Sequence, residues 1–211
     1  MSGWTRFYDA VGDEPNETLL IALDRWKRDV GTGHDEPFAV DLGCGSGMDT
    51  LALLARGWRV LAIDADPEGI DRLSMSVAAR GDVAHLLDTR VARFEDATWP
   101  RAQLVNASYA LPFCQRESFE AVWERVVGSL DPGGRFCGQF FGDRDEWASP
   151  PEEPPGRWGS PRAGSFHTRD EVLELLGELE IEHFDEVDED GETAVGDPKH
   201  WHLFHVVARK R

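Results

Sequence analysis

The chain has 211 residues, 41% of them hydrophobic, and carries 40 acidic against 22 basic side chains, a formal net charge of −18. That length suits one domain rather than two, and acidity without a basic stripe argues against a nucleic-acid partner, whose phosphates call for clustered Lys and Arg. No apolar run approaches the roughly 18 residues needed to cross a bilayer, the N-terminus MSGWTRFYDAVGDEP lacks a signal pattern, and three cysteines without CxxC spacing read as free thiols, so a cytoplasmic protein is expected.

In chain order, NETLLIALDRWKRD predicts a helix with Asn16 as N-cap and Leu19, Leu20, Leu23 and Trp26 on one face. FAVDL reads as a short strand, MDTLALLAR as a helix and WRVLAID as a second strand. Pro67 suits the first turn of the helix that EGIDRLSMSVAAR continues. TRVARF and AQLVNAS read as strands three and four. ESFEAVWERVVGSL is a helix stopped by the turn DPGG, and GRFCGQFFG is strand five. ASPPEEPPGRWGSPR, residues 148–162, holds too much proline for helix or inner strand and reads as a loop. TRDEVLELLGEL has Thr168 and Glu171 spaced as a capping box. EIEHFDEV and WHLFHVVARK form a closing antiparallel hairpin. Strands alternating with helices predict an α/β fold with a mostly parallel sheet covered on both faces.

The loop Asp41-Leu-Gly43-Cys44-Gly45-Ser-Gly47 follows the first strand. A dinucleotide fingerprint, GxGxxG, fails in both registers, which end at Met48 or Thr50. A pyrophosphate would also be repelled by Asp41. S-adenosylmethionine (SAM) has no phosphate; it carries a sulfonium, an ammonium and a carboxylate, so an acid beside the loop is tolerable and useful. Asp64, 17 residues after Gly47, ends the second strand, where an acid can accept hydrogen bonds from ribose hydroxyls. That feature is shared with nicotinamide enzymes.

VDLGCGSG, AIDADPEGIDRL, FEDA, LVNASYALPFC, LDPGGRFCGQFFGDRDEWA and KHWHLFHVVARK together resemble class I SAM-dependent methyltransferases, and within them small bacterial tellurite-resistance-type enzymes. The resemblance covers residues 38–211. It implies a single Rossmann-like domain with a seven-stranded sheet, order 3-2-1-4-5-7-6 and strand seven antiparallel; residues 1–37, outside the resemblance, read from their own pattern as an N-terminal helical lid. It further implies that Asp41, Gly43, Cys44, Gly45 and Gly47 line the methionine part of SAM or its product S-adenosylhomocysteine (SAH). Asp64, flanked by Ala65 and Asp66, would hold the ribose; Glu95 and Asp96 would lie beside the adenine; Asn106 and Ala107 would line the methyl-donor end. Each has a simpler alternative: Asp66 before Pro67 fits a helix cap, Glu95 and Asp96 fit a solvated turn, and Asn106 fits a partner for buried backbone.

The acceptor pocket is expected from Trp4, Phe7 and Tyr8 folding over the cofactor, from Tyr109, and from Asp143, Arg144, Asp145 and Trp147 after strand five. No nucleophile–base arrangement is evident, so no catalytic residue is named. Asn106 cannot take a proton at neutral pH, which favours small-molecule acceptors already nucleophilic: low-pKa thiols, chalcogen oxyanions or free lone pairs. His200, His202 and His205 lack accompanying acids at metal-ligand spacing, and DEVDEDGE, residues 185–192, reads as a solvated hairpin tip rather than a calcium loop; no metal is expected. A non-catalytic SAM-binding module and a nicotinamide oxidoreductase remain the alternative functions, and the oligomeric state is open between monomer and homodimer.

Overall fold

The structure is a computed structural model that describes residues 4–30, 36–148 and 164–211. In chain order the elements are α1 (Thr5–Ala10), α2 (Glu17–Val30), β1 (Phe38–Leu42), α3 (Met48–Leu54), β2 (Arg59–Asp64), α4 (Pro67–Ala78), β3 (Leu87–Val91), β4 (Ala102–Ala107), α5 (Arg116–Ser129), β5 (Leu130–Gly142), β6 (Phe166–His167), α6 (Arg169–Leu175), β7 (Leu179–Glu192) and β8 (Pro198–Lys210). The sheet order is β3-β2-β1-β4-β5-β8-β7, with the two-residue β6 pairing β5. Strands β1 to β5 pair in parallel, and β8 runs antiparallel to both β5 and β7. This is the order expected from the resemblance once the short extra strand is set aside.

Side-chain alternation along the strands sends successive residues to opposite faces. Val40, Leu42, Phe136, Phe140, Phe204 and Val206 meet one helical layer, which supplies Phe119, Val122 and Trp123 from α5, Val172 from α6 and Leu176 from its C-cap. Ala39, Val60, Ala62, Leu104, Cys137 and Val207 meet the other, with Leu19 and Leu23 of α2, Leu53 of α3 and Leu73 of α4. Burying each such leucine contributes about 1.5–3 kcal/mol. The N-terminal segment is therefore divided. Of its two described helices, α2 belongs to the core and α1 lies over the glycine loop. Of the four residues expected on the buried face of α2, Leu20 is exposed while Ala22 is buried, because the buried stripe steps by three and four residues from Leu19.

Three further differences have local causes. Strand β3 ends at Val91, short of the expected Phe94, because its partner β2 ends at Asp64, opposite Val91. The DPGG segment is drawn into β5 as a bulge, with Gly133 at φ +78° and a register shift opposite Ala102 and Leu104. The acidic run 185–192 is no free tip, since β7 pairs with β8 through Glu192. Most of the proline-rich loop lies outside the described residues, as does most of the loop after α2. The capping box is formed: Thr168 Oγ1 accepts from Glu171 N at 3.3 Å, and Glu171 Oε2 accepts from Thr168 N at 2.7 Å. All three cysteines are free and buried. Among the described residues no helix is long and apolar enough to cross a membrane.

Candidate active site

The glycine loop leaves β1 and turns into α3. Gly43, Gly45 and Gly47 all have positive φ, between +52° and +92°, a region that costs other residues roughly 1–2 kcal/mol. Space is equally restrictive: a Cβ on Gly43 would sit 2.5 Å from Ala110 Cβ, and one on Gly47 would sit 2.3 Å from Leu73 Cδ1. Asp64 holds the loop from the next strand. Its Oδ2 accepts from Gly45 N at 2.7 Å and its Oδ1 from Asp66 N at 2.8 Å. Burial raises the Asp64 pKa, and these two amides oppose that rise.

Beneath the loop lies a cluster of carboxylates that the sequence reading only half anticipated. Asp41 is 1% exposed. Its two oxygens accept from Thr50 Oγ1 and from Asn106 Nδ2. Asn106, with no exposed surface, divides its amide hydrogens between Asp41 Oδ1 and Asp49 Oδ2, each at 2.9 Å, while its Oδ1 accepts from Ser108 Oγ and Cys137 Sγ. Asn16 adds two bonds to Asp49, through its backbone N at 2.8 Å and its Nδ2 at 3.0 Å. Burial, reinforced by nearby Asp49, pushes the Asp41 pKa well above the usual carboxylate range, and the bonds from Thr50 and Asn106 oppose that. Asp49 was missed because an acid in a first helical turn is an ordinary helix-start signal.

Above the loop opens a cavity of about 520 Å³. Asp41, Gly43, Cys44, Gly45 and Asp49 form its loop end. Trp4 and Phe7 of the α1 region, Tyr109, Phe113, Phe141 and Trp147 line it further out. The rings form a chain of contacts: Trp4 on Phe113 at 5.0 Å, Phe113 on Trp147 at 6.0 Å, and Trp147 stacked on Phe141 at 5.9 Å with planes 9° apart. Tyr109 completes it with a left-handed backbone, φ +52°, its N–H donating to Gln139 Oε1 at 2.8 Å. The far wall is the β7–β8 hairpin, which contributes Val187, Glu189, Glu192, Trp201, Leu203 and His205. Val187 and Glu189 on β7, and Trp201, Leu203 and His205 on β8, keep i, i+2 spacing, which was a readable signal, but which face of the hairpin meets the loop is a property of the fold.

The other expected residues lie elsewhere. Asp66 caps α4, accepting from Glu68 N at 3.1 Å and from Tyr8 Oη at 3.2 Å. Tyr8 packs on the loop itself, 3.3 Å from where a Gly45 Cβ would stand, and does not line the cavity. Neither do Asp64, Ala65, Glu95, Asp96, Asn106 and Ala107. Glu95 accepts from Gln115 N at the start of α5 and pairs with Arg93. Asp143 and Arg144 are exposed beside the hairpin, where Arg144 pairs with Glu186 and Asp188 and donates its backbone N–H to His202 Nδ1. Asp145 is buried against Lys199. His200 places its two ring nitrogens on Asp190 and Asp188.

The donor set at the loop end suits the cationic amino and sulfonium groups of SAM. It holds two carboxylates, glycine backbone and, among the described lining residues, no Lys or Arg to meet a pyrophosphate.

Residues 39–134 match a family described as a methyltransferase domain. A curated relative, a probable cobalt-precorrin-6B C(15)-methyltransferase (decarboxylating) of Methanothermobacter thermautotrophicus, is 33% identical over 98 residues, 46% of this chain and 48% of its own. The chain thus spans about half the length of that relative. Among solved structures, TehB from Haemophilus influenzae superposes with a TM-score of 0.69 at 17% identity over 90% of this chain and 62% of TehB. Magnesium protoporphyrin IX methyltransferase from Synechocystis, with bound SAH, gives 0.68 at 14% identity over 99% and 94%. A Burkholderia thailandensis 1,6-didemethyltoxoflavin N1-methyltransferase, holding 1,6-didemethyltoxoflavin and SAH, gives 0.61 at 20% over 92% and 78%. The fold is that of class I SAM-dependent methyltransferases.

Proposed function

We propose that this chain, a methyltransferase domain on the class I fold, transfers a methyl group from SAM to a small-molecule acceptor. One observation carries the reading: a glycine loop backed by buried carboxylates opens directly into an aromatic chamber. A non-catalytic SAM-binding module needs the loop but not the chamber. A nicotinamide oxidoreductase needs a phosphate-tolerant loop, and Asp41 and Asp49 make this one hostile to phosphate. The surplus of acids over bases supports a small acceptor over a nucleic acid. The SAH-bound Synechocystis and Burkholderia neighbours lend the same support by analogy of fold.

When bound, SAM supplies a methyl on a sulfonium, which passes to an acceptor lone pair as the S–C electron pair returns to sulfur. The chain's own residues bind, orient and exclude water. Gly43 and Gly45 let the backbone approach the ligand, and Asp41 and Asp49 favour its cationic end. Asp64 braces the loop and offers its remaining lone pairs to ribose hydroxyls. Trp4 and Phe7 close the chamber from the N-terminal side. Holding two reactants in line accounts for about 7–11 kcal/mol in well-oriented cases, so a side-chain base is unnecessary for an acceptor with a free lone pair.

Calorimetry with SAM, SAH and NAD on the wild type and on Asp64→Ala tests this. The wild type should bind SAM and SAH and not NAD. Asp64→Ala loses ribose bonds worth roughly 0.5–1.5 kcal/mol each and also frees Gly45 N and Asp66 N from their partner. Affinity for SAM should fall about tenfold or more. NAD binding without a response to SAM or SAH would defeat the reading, and an unchanged Asp64→Ala affinity would move the ribose site elsewhere.

A further inference from the structure

The sheet face flooring the cavity pairs Gln139 with His205 and Phe141 with Leu203 across β5 and β8. The amide of Gln139, 1% exposed, has a determined orientation. Tyr109 N can only donate, so the atom it meets at 2.8 Å is Oε1. Nε2 therefore donates, to Thr18 Oγ1 at 3.2 Å and to His205 Nδ1 at 3.3 Å. An imidazole nitrogen that accepts a hydrogen bond carries no proton, and the neutral ring then holds its proton on Nε2. Burial lowers the His205 pKa and favours that neutral form. Among the described residues Nε2 has no protein partner, and the ring lines the cavity. His205 is thus a tautomer-locked donor, unsuited to act as a base.

Its surroundings restrict the ligand further. Tyr109 stands edge-on to His205, Phe141 and Trp201, with ring centroids 6.3 Å, 6.2 Å and 6.3 Å away. The charged groups lining the cavity are Asp41, Asp49, Glu189 and Glu192, with no Lys or Arg among the described lining. The nearby cation, Lys199, lies 3.8 Å from the centroid of the Trp201 ring, is buried and is paired with Asp145. A carboxylate, phosphate or chalcogen oxyanion entering the chamber meets like charge and, among the described lining residues, no counter-ion.

We infer that the acceptor is a planar aromatic or heteroaromatic molecule, neutral or cationic, that presents an oxygen or nitrogen lone pair to His205 Nε2–H. The inference rests on the methyltransferase reading, and it turns away from the oxyanion acceptors expected from Asn106 alone. The experiment uses the full chain saturated with SAH, titrated with 2-naphthol, 2-naphthoate and tellurite and followed by calorimetry. Naphthol should bind, naphthoate about tenfold more weakly through like-charge repulsion, and tellurite not measurably. His205→Phe keeps the ring area and removes the donor; naphthol affinity should fall roughly three- to tenfold while SAH affinity holds. Nitrogen-15 NMR of the His205 ring should show the proton on Nε2, a readout that stands even if the variant fails to fold. Equal binding of naphthol and naphthoate, tight tellurite binding, a proton on Nδ1, or naphthol affinity indifferent to His205→Phe would each overturn the inference. So would SAH binding with no response to any probe, which leaves the methyltransferase reading intact. Failure to bind SAH at all would overturn that reading and this inference with it.

Discussion

Asn106→Asp should destabilise the protein by about 3–5 kcal/mol, the scale for leaving buried charge uncompensated. The wild-type amide gives one hydrogen to Asp41 and the other to Asp49. The substitution removes both donors and sets a third carboxyl between two others in a site with no exposed surface. At roughly 2–4 °C per kcal/mol for a chain of this size, the melting temperature should drop by about 6–20 °C. The sign with pH follows from linkage. Burial and two neighbouring acids raise the folded pKa of the new carboxyl above its unfolded value near 4. The folded state then binds more protons, so the deficit is smallest in acid and grows as pH rises through that folded pKa. Thermal melts of both proteins across pH 4.5 to about 8 would show it. A variant as stable as wild type at neutral pH would mean that the amide is no clamp between these acids.

Asp41→Asn should act in opposite directions on stability and on binding. The amide keeps the shape, accepting from Asn106 and donating to Thr50, while removing a charge held 1% exposed beside Asp49. Because the folded pKa of Asp41 is raised, its ionised form detracts from stability once pH climbs above its unfolded value. The variant should therefore gain about 1–3 kcal/mol at neutral pH, a range typical of relieving buried charge, and the gain should shrink in acid. Binding should suffer, since a hydrogen bond to a charged partner is worth roughly 1.5–3 kcal/mol. That corresponds to a loss of about 10- to 100-fold in SAM affinity. Melting curves and calorimetry on one preparation separate the effects. Full affinity in a stabilised variant would show that Asp41 only builds the loop.

These expectations locate a trade-off between stability and binding in the floor of the site. Two acids are kept under the loop, where burial penalises their charge, and Asn16, Thr50 and Asn106 hold them there. The same logic extends outward. Tyr109 keeps a strained backbone that Gln139 supports, and Gln139 in turn sets the tautomer of His205. Strain of this kind persists only where surrounding contacts over-determine it.

Much of this molecule was legible in order along the chain. Strand and helix periods, Pro67 at a helix start, the Thr168–Glu171 capping box and the GCGSG loop with Asp41 and Asp64 all depend on near neighbours, so local physics specifies them. The resemblance to methyltransferases supplied the sheet order. What the sequence could not decide were the pairings made across long separations. Asn106 reads locally as a strand-end residue facing a ligand; only the parallel pairing of β1 with β4 sets it opposite Asp41 and turns it inward. The acidic run 185–192 reads as a solvated hairpin tip, and most of its acids are indeed exposed; what the β7–β8 ladder adds is a place beside the chamber, with Val187 and Glu189 lining it and Asp188 paired with Arg144. Asp143 and Arg144 looked like pocket residues and are hairpin partners, while His205 and Gln139, 66 positions apart, form the donor of the chamber floor. Local sequence determines which elements form and which loop is built for a ligand. The closing of the sheet alone decides which side chains share a face, because a strand's alternation gives two faces and the neighbours it pairs with choose which of them is dry.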